Sequence, residues 1–166
     1  MNKNHFRITA VEAMPPYVLR LTFADDKIFA VDLAEWIKTS QALGALKDSE
    51  LFAKARIGFA GASVEWIEDE LDLAADNLRN LAVEQAGGIG HERIWNWLHE
   101  TGLNVTQAAA ALGISRRMLM YYRDGEKPIP RHIWLACLGW EATKPKDLDS
   151  LPHRIPSPGE YAVLHR

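Results

Sequence analysis

The sequence predicts an α+β domain followed by an all-α domain, and three observations carry that reading. Residues 17–33 alternate apolar and polar positions with the period of a strand hairpin. Residues 91–140 switch to helical spacing with no strand pattern. Between the two, Gly87-Gly88-Ile89-Gly90 places three glycines in four residues, the composition of a flexible joint. The expected division is an α+β domain over 1–87, a helical domain over 88–145 and a Pro-rich tail over 146–166.

Within the first domain, Ile8 to Met14 reads as a strand that Pro15-Pro16 interrupts. Tyr17, Leu19, Leu21 and Phe23 then alternate with Val18, Arg20 and Thr22, as in a half-buried strand. Asp25-Asp26 signals a turn, and residues 28–33 form the return strand. Residues 46–55 read as a short helix capped by Asp48 or Ser49, and residues 57–59 and 63–67 as short strands around Gly61. Residues 76–85 read as a helix with Leu78, Leu81 and Ala82 on one face and Gly87-Gly88 as its stop.

Composition excludes several classes of function. The net charge over 166 residues is −3, but it is unevenly spread. Residues 1–87 hold 9 basic and 14 acidic side chains, and residues 88–166 hold 10 basic and 8 acidic ones. Between 104 and 132 stand Arg116, Arg117, Arg123, Lys127 and Arg131 against only Asp124 and Glu126, a local basic footprint. No stretch approaches the roughly 18 unbroken apolar residues of a membrane helix, and no leader-length apolar run follows the N-terminus, so a cytoplasmic protein is expected. The single cysteine, Cys137, rules out an internal disulfide and sits in an apolar run that predicts a buried thiol. No G-x-S-x-G, phosphate-binding loop, G-x-G-x-x-G or H-E-x-x-H is present, so neither an enzyme nor a cofactor is expected. The acidic cluster Glu65, Glu68, Asp69, Glu70, Asp72 and Asp76 has no His or Cys nearby and reads as a solvated loop, not a metal site. The histidines after residue 88 are not at ligand spacing and read as surface groups, with His132 near phosphate. Trp95, Trp97, Trp134 and Trp140 are dense for a small bundle, so one or two are expected at its surface or at a dimer contact.

The basic segment lies in a helix-turn-helix pattern. A helix over 91–100, with Ile94, Trp95 and Leu98 inward, stops at Gly102. Asn104 caps a second helix over 105–112, and Gly113-Ile114-Ser115 links it to a third over 116–123, closed by Asp124-Gly125. Two helices joined so tightly need small residues where their backbones meet, which Ala108 and Ala109 supply. Gly113 tolerates the positive φ of the turn, Ile114 plugs the angle and Ser115 caps the third helix. At about 100° per residue, Leu119 and Tyr122 point inward while Arg116, Arg117, Met120, Tyr121 and Asp124 point outward. That outer face matches a DNA major groove, where Arg reads guanine and Met or Tyr meets a thymine methyl or a sugar. Arg123, Lys127 and Arg131 lie beyond the face, at phosphate-contacting positions. Asn104, Gln107 and Ser115, at the helix starts, complete the expected DNA-binding set.

The run from Thr106 through Ser115, with Gly125 and Pro128-Ile129-Pro130-Arg131, resembles the lambda-repressor-like helix-turn-helix family of bacterial and phage regulators. The resemblance covers about 50 residues and implies a five-helix bundle whose third helix reads DNA, usually as a dimer. Many members carry a phosphate-bonding Gln at the first turn of the second helix; here that place holds Val105, with Gln107 two residues further on. The N-terminal half resembles a widespread family of small bacterial domains of unknown function over residues 10–82. The resemblance rests on Pro16, Tyr17, Leu19, Leu21, Phe23 and Asp25, then on Val31-Asp32-Leu33, Gly44, Leu46, Asp48 and Phe52. It extends through Glu65-Trp66, Asp72-Leu73, Asp76 and Leu78. Members often read Asp-Gly where this chain has Asp25-Asp26, and Pro where it has Ile67. That resemblance implies an α+β fold and no activity.

The expectation is therefore an α+β N-terminal domain followed by an all-α lambda-repressor-like domain that binds double-stranded DNA as a homodimer and regulates transcription. The alternative is a protein-interaction or antitoxin-like adaptor, whose acidic N-terminal domain holds a protein partner and whose helix-turn-helix binds little DNA.

Overall fold

The computed structural model describes residues 4–144, 151 and 153–164. The chain divides into two compact units, Met1–Gly87 and Gly88–Arg166. Among the described residues, a β-rich region is followed by a part with five helices.

The first unit is built on two three-stranded antiparallel sheets. Strands β1 (Ile8–Met14), β2 (Val18–Phe23) and β3 (Ile28–Asp32) form a meander in that order. The alternation in β2 buries Leu19, Leu21 and Phe23 completely and leaves Arg20 in water, opposite Glu12 at 3.8 Å. Asp32 ends β3 and accepts the Ala34 N–H, starting helix α1 (Ala34–Thr39), which inserts Ile37 into the core.

The expected helix over 46–55 is instead a 3-10 turn, Gly44–Lys47, and a single turn, α2 (Ser49–Phe52). Asp48 separates them. Its extended backbone (φ −74°, ψ 114°) breaks the run, and its carboxylate accepts the Glu50 and Leu51 N–H groups as an N-cap. The second sheet orders β4 (Arg56–Ile57), β5 (Ser63–Ile67) and β6 (Leu71–Ala74). Phe59 is not in a strand; it opens a 3-10 turn, Phe59–Gly61, and stands 91% exposed. Of the acidic cluster, Glu68, Asp69 and Glu70 form an exposed turn, whereas Glu65 and Asp72 sit in the β5–β6 hairpin and Asp76 opens helix α3 (Ala75–Gln85). The hairpin turn places Asp69 at φ 58°, and Leu71 points into the core. Arg56 on β4 pairs with Glu65 at 3.5 Å and Glu68 at 3.8 Å.

Helix α3 (Ala75–Gln85) closes the unit with Leu78 and Ala82 against the sheets. Its Arg79 is also buried, against the rings of Phe23 (4.7 Å) and Phe29 (5.2 Å). Two bonds of 2.7 and 3.0 Å tie its guanidinium to Asp25, and a third reaches the His5 carbonyl. Gln85 pairs its amide with both backbone groups of Asp32 at 2.8 Å, which occupies part of the exposed edge of β3.

The second unit contains α4 (Glu92–Thr101), α5 (Val105–Leu112), α6 (Arg116–Arg123), α7 (Arg131–Thr143) and α8 (Pro158–Leu164). Its core gathers Ile94, Trp97, Ala108, Ala109, Leu119, Tyr122, Ile129, Ile133 and Cys137. Burial pushes the Cys137 thiol up to about 12, so it packs as a neutral apolar group. The described part of the tail carries a helix. Ser157 and Glu160 exchange bonds with each other's backbone N–H at the start of α8, and Arg154 grips Glu160 at 2.6 and 2.9 Å. Hydrogen bonding from Arg154, then from Ser157, draws the Glu160 carboxyl down to about 2.

Candidate nucleic-acid interface

Four residues set the ends of α5 and the start of α6. Asn104 and Gln107 form a reciprocal capping box at the start of α5, with bonds of 2.9 and 3.1 Å. Gly113 ends α5 at φ 68°, ψ 29°, in the left-handed region. Its N–H reaches the Ala110 carbonyl and the Ile114 N–H reaches the Ala109 carbonyl, the paired bonds of a Schellman turn. Ser115 then caps α6 by accepting the Met118 N–H at 3.2 Å. Ala108 and Ala109, both buried, let the two helices approach. Val105 is half-buried at the first turn of α5.

Helix α6 is closed the same way, with Gly125 at φ 68°. The Glu126 and Lys127 N–H groups both return to the Tyr121 carbonyl, at 2.9 and 3.3 Å. That return folds the chain back over its own last turn, and the Lys127 Nζ lies 5.0 Å from the centre of the Tyr121 ring. Arg117, one turn earlier on the same face, donates from Nε to the Tyr121 hydroxyl at 2.6 Å. Tyr121 therefore stands between two cations.

Leu119 and Tyr122 are buried, and Arg116, Arg117, Lys127 and Arg131 are exposed; Met120 and Tyr121 are half-buried. Among the described residues, none of those four cations forms an ion pair with an acid. Asn104, Gln107 and Ser115 are exposed, but their side chains are engaged in the caps.

Three positions differ from the sequence reading. Asp124, expected on the outer face, is only 4% exposed. It ends the helix in a non-helical conformation (φ −90°, ψ 5°), which turns its carboxylate back onto Arg123. Arg123, expected at a phosphate, is held by Asp124 through bonds of 2.8 and 3.1 Å and lies 4.8 Å over the Trp95 ring. The Asp124 hydrogen bond raises the Arg123 pKa above its ordinary value. Trp95, expected inward, is half exposed, and Trp97 takes the inner position at 4% exposure, edge to face with Trp140 at 5.9 Å. Ile94 and Trp97 share the buried stripe by their three-residue spacing, and Trp95 is rotated out of it to receive Arg123.

Among the described residues, no three His, Cys, Asp or Glu side chains gather as metal ligands, and no helix is long and apolar enough to cross a membrane.

Residues 8–84 match the family described as "Protein of unknown function (DUF2442)", which bears out the resemblance drawn for residues 10–82. No curated protein matches the chain. Among solved structures it is similar to the "Crystal Structure of Putative DNA Binding Protein NE0471 from Nitrosomonas europaea ATCC 19718". The two share 45% sequence identity with a TM-score of 0.84, over 95% of this chain and all of the other.

Proposed function

Since this chain belongs to the same family as that Nitrosomonas europaea protein, we propose that it binds double-stranded DNA sequence-specifically through a helix-turn-helix made of α5 and α6. The observation that carries this reading is the set of exposed cations around α6, Arg116, Arg117, Lys127 and Arg131, which have no acidic ion-pair partner among the described residues. Arginine and lysine on one helix and the turn after it are the chemistry of base and phosphate contacts. The relative's description supports the same class of partner. In this reading the protein is a bacterial transcriptional regulator of the lambda-repressor-like kind, cytoplasmic and non-enzymatic. It acts as a homodimer with recognition helices about 34 Å apart. The α+β unit serves dimerisation or a protein partner.

The test is fluorescence anisotropy on DNA from upstream of the protein's own gene and on a scrambled control, over a salt series. Expected is tight binding to the first and weaker, salt-sensitive binding to the second. With one arginine on a base edge, the remaining two or three cations on phosphates give a slope of log K against log salt of about −2 to −3 for each protomer. No binding to either DNA at low salt overturns the proposal and favours the adaptor reading.

A further inference from the structure

The geometry of Tyr121 points to a specificity device, and we propose that Tyr121 positions Arg117 to read a guanine. The inference rests on the DNA-binding reading above and adds the identity of one base and the residue that selects it. An arginine reads guanine by presenting two parallel N–H groups to O6 and N7. A free arginine on a helix surface samples many rotamers and offers either edge of its guanidinium. Here the Nε–H is already bonded to the Tyr121 hydroxyl at 2.6 Å, which satisfies that edge. The guanidinium carbon sits 5.4 Å from the centre of the same ring. With Nε engaged, the two terminal nitrogens form the outward pair, the fork that O6 and N7 of one guanine accept.

The partner in this bond is neutral, and that matters. An acid at the same place would hold the side chain equally well but cancel its charge, as Asp124 does for Arg123. A tyrosine hydroxyl fixes the rotamer and leaves the cation whole. Tyr121 is itself held, because the Glu126 and Lys127 backbone N–H groups both bond to its carbonyl; the Lys127 Nζ lies 5.0 Å from its ring. The same aromatic ring thus carries one cation toward the bases and another at the position of a phosphate contact.

Tyr121→Phe separates these roles, since it removes only the hydroxyl and keeps the ring. The experiment selects binding sites from a random duplex pool with the wild-type chain. It then measures affinity for the best site and for versions with each guanine replaced in turn, using wild type, Y121F, R117A, R117K and the Y121F/R117A double variant. Thermal melting by tryptophan fluorescence confirms that each variant is folded. Expected is one guanine per half-site whose replacement costs the wild type about tenfold or more. That preference should be absent in R117A and in R117K, which keeps a charge but loses the fork. In Y121F it should fall about fivefold, a larger change than Y121F makes in affinity for unrelated DNA. In the R117A background, Y121F should have no further effect on base preference.

Y121F lowering affinity equally for all sequences would overturn the proposal and make Tyr121 a backbone contact. A guanine preference untouched by R117A would overturn it too while leaving DNA binding intact. A wild-type chain that enriches no sequence would instead remove the sequence-specific reading and this inference with it.

Discussion

Each unit of the chain lays an arginine against an aromatic ring, and the two do opposite things with its charge. In the α+β unit, Arg79 is closed in by Phe23 and Phe29 and bonded twice to Asp25, so its charge is consumed inside the fold. In the helical unit, Arg117 lies against Tyr121 at the surface and is bonded to a neutral hydroxyl, so its charge still faces outward. The ring is common to both. What decides between a structural and an outward-directed arginine is whether the atom that fixes the guanidinium carries a negative charge and whether water reaches the far edge.

The sharpest way to break the comparison is to remove the acid from the buried pair. Asp25→Ala leaves Arg79 charged, nearly sealed and without its counterion, and should lower the unfolding free energy by about 3 kcal/mol in urea denaturation. Burial by itself raises the Asp25 carboxyl, but the Arg79 hydrogen bond and charge outweigh it and hold its pKa below the ordinary value. A carboxylate with a depressed folded pKa stabilises the fold above its unfolded pKa of about 4 and loses that contribution as pH falls through the folded value. The wild-type chain should therefore lose stability below about pH 4 more steeply than the variant. Equal acid sensitivity in the two would remove Asp25–Arg79 as the cause.

Arg123 and Asp124 stand between the two extremes. The acid is buried and the arginine is partly open above Trp95. Asp124→Asn keeps the shape and removes the charge, and should cost about 2 kcal/mol, less than the change at Asp25. If Arg123 is released by this change, DNA binding should strengthen and the salt slope should steepen by about 0.9, the mark of one added phosphate contact. A slope that stays constant would show that Trp95 alone keeps Arg123 in place.

Much of this arrangement was legible in the sequence because local chemistry set it. Gly113, Ser115, Asn104 and the alternation of Leu19, Leu21 and Phe23 act through their own backbone or their nearest neighbours, and those patterns survive folding. The S-x-x-E pattern with Pro158 behind Ser157 was also a legible helix start, hidden only by the proline content around it. Strand β6 was hidden for a different reason. Its Leu71-Asp72-Leu73 alternation is short and sits among acids that read as a loop. Arg79–Asp25 was beyond reach, since the partners lie 54 residues apart and only the meeting of α3 with the β2–β3 turn joins them. Asp124 was misread because helical periodicity was carried one residue past the point where the helix ends. The four-residue spacing of Arg117 and Tyr121 was visible, but both were placed on the outer face as separate readers and not as a pair.

The smallest change in stability is expected where a cation is left outward. Lys127 is exposed, its ammonium touches the Tyr121 ring, and no acid holds it among the described residues. Lys127→Ala should shift the unfolding free energy by no more than about 0.5–1 kcal/mol, the range of an exposed cation–ring contact. Its effect on DNA should be uniform, with affinity falling to a similar degree for the preferred site and for unrelated duplex, and the salt slope becoming shallower by about 0.9. A loss confined to the preferred site would mean that Lys127 acts through Tyr121 on the base-reading arginine and not on a phosphate, which would move it from the backbone-contacting set into the specificity device.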